Sequence, residues 1–122
     1  MALPMPEIVP VFQNRLISGG SLTVTSDPVQ ARGNKLVMCA TVTNLTGGGG
    51  QTLTLSLDVS GDGQNWKDSG AGTSAATAFG YMTEITLGPA GAMFYPLVRI
   101  RAVASGTTPS ALFDASLAFS YL

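Results

Sequence analysis

Residues 51–59 read Gln-Thr-Leu-Thr-Leu-Ser-Leu-Asp-Val, an unbroken alternation with Leu53, Leu55, Leu57 and Val59 on one side and Thr52, Thr54, Ser56 and Asp58 on the other. Successive side chains of an extended chain point to opposite faces, so this period predicts a strand with one face in a core and the other wet or interfacial. The same text recurs. Apolar residues alternate in 21–25, 75–87, 94–103 and 111–122, while 35–43 carries the nearly continuous run Leu36, Val37, Met38, Cys39, Ala40 of a strand buried on both faces for part of its length. Helical periodicity is absent throughout.

Between these runs stand the residues that turn a chain. Ser26-Asp27-Pro28, Ser60-Gly61-Asp62-Gly63, Gly88-Pro89-Ala90-Gly91 and the Pro-containing 106–110 punctuate the text at short intervals, as Asp caps backbone groups, Pro presets its own φ and Gly takes φ values that other residues avoid. After the 60–63 turn, a return strand is expected from Gln64, with Trp66 aimed inward. Seven or eight strands in 122 residues predict an all-β domain, an antiparallel β-sandwich of jelly-roll or immunoglobulin-like type. Pattern alone leaves the choice between those two topologies open.

Residues 1–20 read differently. Pro4, Pro6 and Pro10 lie in an apolar stretch, and Pro10 confines residues 7–12 to a sheet edge or to a segment laid across another subunit. The expected organisation is therefore an extended Pro-containing arm over 1–20, able to include an edge strand, followed by the sandwich over 21–122. Pro4, Pro6, Val9 and Phe12 are the arm's candidate partner contacts.

Composition narrows the function. Only 11% of residues are charged, six Lys/Arg against seven Asp/Glu for a net charge of −1, where soluble domains carry about 25%. So neutral a surface is expected to be shielded by copies of itself or by partner proteins, since obligate interfaces resemble a domain core. No histidine is present, which removes the commonest general base and transition-metal ligand. The acids are scattered, so no catalytic pair is expected and the reading is non-enzymatic, with no cofactor and no small-molecule substrate.

The remaining candidates are weak for ligand chemistry. Gly47 to Gly50 form a loop of high ordering cost, mobile when free, but no Gly-Lys-Ser/Thr follows and a strand comes next, so it is not read as a phosphate cradle. Asp58, Asp62 and Asp68 depart from calcium-loop spacing, and Asp62-Gly63 is read as hairpin chemistry. Arg99 and Arg101 share one strand face but make no basic patch for nucleic acid. They are expected to pair with Glu84, Asp58 or Asp114 or to meet an acidic patch on a partner. The lone Cys39 closes no intramolecular disulfide and reads as a buried, inert thiol. The N-terminus shows no signal-peptide pattern and no run is long enough to span a membrane as a helix, so synthesis in the cytoplasm and no membrane partner are expected.

The stretch Leu57-Asp58-Val59-Ser60-Gly61-Asp62-Gly63-Gln64-Asn65-Trp66, followed later by Tyr95-Pro96-Leu97-Val98-Arg99-Ile100-Arg101, resembles a pattern of bacteriophage virion β-sandwich proteins, which include head decoration (cement) proteins and tail or fibre modules. The likeness spans about half of the chain. It implies that Asp62, Gly63 and Asn65 shape a structural turn and that Trp66 plugs one end of the sandwich. It also implies a homo-oligomer, a trimer favoured, that binds the major capsid protein or other virion proteins and reinforces the shell by bridging neighbouring subunits. Discoidin-like and carbohydrate-binding sandwiches use a similar turn, so a carbohydrate-binding or adhesive module is the alternative, and a tail or fibre component another.

Overall fold

Each alternating run forms a strand in the computed structural model, which describes residues 7–19, 22–31, 35–72, 80–87 and 96–120. Among them the strands are β1 (Glu7–Ile17), β2 (Thr23–Thr25), β3 (Val29–Gln30), β4 (Lys35–Thr46), β5 (Gly49–Ser60), β6 (Lys67–Gly72), β7 (Gly80–Leu87), β8 (Leu97–Thr107) and β9 (Ser110–Ser120). β2 and β3 both pair with β8, at Thr23–Thr25 and Val29–Gln30 respectively. They act as one strand interrupted at Ser26-Asp27-Pro28, whose Pro28 has no N–H to donate. Counted so, the described residues form eight strands.

Two antiparallel sheets result, one ordered β1-β9-β4-β7 and the other β2-β8-β5-β6, with β3 also on β8. The pairings are nested: β1 with β9, β2 and β3 with β8, β4 with β7, β5 with β6. The chain is thus one long hairpin with its tip between β5 and β6, rolled so that successive rungs fall in alternate sheets. Two further pairings, β4 with β9 and β5 with β8, join the rungs within each sheet. This is the jelly roll. An immunoglobulin-like sandwich would pair several strands adjacent in sequence; here β5 and β6 are the adjacent pair that does so.

The core lies where alternation predicts it. Leu53, Leu55, Leu57 and Val59 from β5 and Val98, Ile100, Ala102 and Ala104 from β8 face Leu36, Met38, Ala40 and Val42 from β4 and Ala111, Phe113, Ala115, Leu117 and Phe119 from β9, all buried. Burying each large aliphatic side chain contributes about 1.5–3 kcal/mol, so these rows supply most of the driving force.

Residues 7–17, expected within the arm, form the edge strand β1, paired with β9 from Glu7 opposite Phe119 to Ile17 opposite Ala111. Its register shifts twice, between Pro10 and Phe12 and between Phe12 and Arg15, and Asn14 within the second bulge takes φ +48°. Such bulges and the proline blunt an exposed sheet edge. Residues 1–6, and with them Pro4 and Pro6, lie outside the described set.

The glycine run differs from its expectation. β4 ends at Thr46 and β5 begins at Gly49, leaving a two-residue link. The Gly48 N–H donates to the Thr107 carbonyl at 2.7 Å, so the run is tied to the neighbouring β8–β9 turn. Gly106, near the end of β8, has φ +118°, and a Cβ there would come within 2.7 Å of the Gln51 Cα.

Candidate interaction surfaces

Val98 and Ile100 point into the core, so Leu97, Arg99 and Arg101 between and beside them project from the outer face of the β2-β8-β5-β6 sheet. Arg99 stands in register opposite Asp58 on β5, and Asp58 in turn opposite Asp68 on β6. The Arg99 Nε donates to Asp58 Oδ2 at 3.1 Å. Arg101 spans both acids, donating from Nη2 to Asp68 Oδ2 at 2.9 Å and placing Nη1 3.4 Å from Asp58 Oδ1. That last approach is an ion pair without hydrogen-bond geometry. The result is a neutral four-residue cluster across three strands.

Asp58 is the correction here. Alternation puts it on the open face, and there it stands, yet it is only 2% exposed because both arginines lie over it. A carboxylate so covered requires its cationic partners, since a buried unpaired charge costs several kcal/mol. Asp58 is thus the acid that Arg99 and Arg101 share; Glu84 has its side chain outside the described set, and Asp114 accepts instead from the Asn14 N–H at 2.8 Å.

The β5–β6 turn curls over the same face. Asp62 Oδ1 accepts the N–H groups of Gln64 and Asn65 at 2.9 and 2.8 Å and the Ser60 hydroxyl at 3.1 Å, while the Asn65 amide donates to Oδ2 at 2.7 Å. The Ser60 hydroxyl oxygen accepts from the N–H of Gly63 at 2.8 Å. The backbone N–H groups of Asn65 and Gln64, then the Asn65 side chain, hold the Asp62 carboxyl far below the usual carboxylate range. Gly63 adopts φ +80° and approaches Leu97. Asp62, Gly63 and Asn65 therefore make a self-satisfied turn, with both carboxylate oxygens engaged by the protein. Among the described residues no three His, Cys, Asp or Glu side chains gather as a metal site.

Trp66 is a second correction. Rather than plugging the sandwich it is half-buried on the outer face, with the Arg99 guanidinium 4.4 Å above its ring. β6 begins at Lys67 with Asp68 on the outer face opposite Asp58, and Trp66, two residues before Asp68, falls on that same face. A cation over an indole face is favourable by about 0.5–1 kcal/mol at exposed sites.

Over β1, β9 and β4 the other sheet presents a more apolar outer face. Ile8 and Leu16 on β1 are 67% and 55% exposed, the large apolar side chains most open to solvent among the described residues. Their register partners Ala118 and Leu112 share that face. Between them lies a shallow groove of about 220 Å³ bordered by Pro10, Gln13, Cys39, Thr41, Asp114 and Ser116. Cys39, expected to be buried, is only half-buried on this face. Phe12, expected at a partner contact, is instead core: it is 7% exposed, and its ring meets Phe113 edge-on at 5.1 Å. The first register shift of β1 turns it inward. Val9 is half-buried against the same core.

Fold and surfaces together define a jelly-roll domain whose described residues offer packing faces. No protein family and no curated protein sequence matches the chain. Solved structures do. A chain in the structure of infectious bursal disease virus, Gx strain, superposes with a TM-score of 0.57 at 15% identity over 98% of this chain. One from the Gt strain gives 0.56 at 12% identity, also over 98%. The likeness is of fold, and this chain spans about a third of the length of those virus chains, 34% and 33% respectively.

Proposed function

We propose that the chain is a non-enzymatic structural protein of a virus particle, and more narrowly a capsid decoration or cement protein that reinforces the shell by bridging neighbouring subunits. The observation that carries this reading is the jelly roll shared across 98% of the chain with virus chains. Sparse charge and the apolar outer face of the β1-β9-β4-β7 sheet support it. In this reading the protein is made in the host cytoplasm, self-associates with a trimer favoured, and ends in the virion against the major capsid or other virion proteins. Several weak contacts made at once across adjacent subunits would multiply into tight binding. Because burial supplies the energy, binding should survive high salt.

The test is the mass of the purified protein in solution together with its cosedimentation with preformed shells in low and high salt. A defined oligomer that sediments with shells at both salts is expected. A strict monomer without affinity for any shell overturns the reading.

One observation favours a second reading, a carbohydrate-binding or adhesive module. Trp66 lies on the outer surface, where an aromatic ring can stack on a sugar, although Arg99 occupies one of its faces. A glycan array with no hits removes this alternative.

A further inference from the structure

β1 is the least anchored of the long strands. Among its described side chains, Phe12 and Ile17 are buried and Val9 and Val11 pack partly against the core, whereas β9 buries Ala111, Phe113, Ala115, Leu117 and Phe119. It sits at a sheet edge with β9 as its neighbour in the sheet order, and two register shifts interrupt that pairing. Without β1 the other pairings, β9 with β4 and β4 with β7, remain intact. A strand with few buried contacts and an interrupted ladder opens at lower free energy than the strands it leaves behind.

We propose that β1 is exchanged between copies, the β1 of one chain occupying the slot beside β9 of another. Any second copy carries the same Phe12 and Ile17, so the slot accepts it with the contacts made within one chain. The two chains then cross where β1 leaves its sheet, at Ile17-Ser18-Gly19, where Gly19 takes φ +77°. Leu16 stands beside that crossing, which gives this exposed apolar side chain a neighbouring copy to pack against. The proposal rests on self-association as read above and adds which segment performs it.

Two versions of the full chain, both with Cys39→Ser, test it when co-expressed: one tagged and carrying Leu16→Cys, the other untagged and carrying Leu112→Cys. These positions are register partners on the outer face, and facing strand positions lie within disulfide reach. Exchange predicts a disulfide-linked product of tagged plus untagged chain on a non-reducing gel. It should exceed by about tenfold the product from an off-register control, Leu16→Cys with Ala118→Cys. The pair Ile8→Cys and Ala118→Cys reports the same exchange from the other end of β1. Product no greater than the control in either pair overturns the exchange. If the protein is then still oligomeric by mass, self-association stands without it; if monomeric, both fall.

Discussion

Asp58 and Arg99 face each other in register across β5 and β8 and form a 3.1 Å ion pair whose carboxylate is almost fully covered while its guanidinium reaches an indole ring. Around Asp58 the outer face of this sheet is therefore closed over by its own side chains. Its two arginines are engaged within the chain, so an acidic partner would have to compete with Asp58 and Asp68 for them.

Asp58→Asn keeps the shape but removes the charge that both arginines share. Hydrogen bonds to charged groups contribute about 1.5–3 kcal/mol, and a loss of about 2 kcal/mol is expected on urea unfolding. If Arg99→Ala and Asp58→Asn are additive, the pair is not coupled.

Trp66→Phe should cost under about 1 kcal/mol, because the indole lies on the surface against Arg99. A core plug would cost several times more. As the single tryptophan of the chain, Trp66 should also be quenched by acrylamide in the folded protein. Emission that acrylamide leaves untouched would put the ring back inside.

Phe12→Ala should destabilise the fold by about 3–5 kcal/mol, as removal of a buried aromatic does. A thermal melt little changed from the parent, with self-association lost instead, would make Phe12 a partner contact after all.

Asp62 binds the turn in its ionised form, so its folded pKa lies below the unfolded value of about 3.9. The sign follows: its contribution is fully present above that unfolded value and is lost only as pH falls through the depressed folded pKa. The amide resonances of Gln64 and Asn65 should hence show no carboxylate titration between about pH 6 and 3. A midpoint near the ordinary carboxylate value would mean that the cap is not formed in solution.

Gly106→Ala should cost about 3 kcal/mol, combining a left-side φ with a collision against Gln51 backbone that cannot move aside. Gly63→Ala, where the crowding atom is a flexible leucine methyl, should cost about 1 kcal/mol. Equal losses by urea unfolding would show that the β5–β8 contact is looser than described.

What the sequence by itself determined was which side chains share a face. Leu53 to Val59, Val98 to Ala104 and Ala111 to Phe119 announce their buried rows because alternation is a property of the extended backbone, read residue by residue. The Asp62-Gly63 turn is equally local and was readable for the same reason. Tertiary structure alone decided that the hairpin rolls into nested rungs, that Asp58 on an outward position is nonetheless covered, that Trp66 rests on Arg99, and that a register shift turns Phe12 inward. Each of these depends on which distant strand lies alongside and on what its side chains place overhead, and neither is encoded in a period of two.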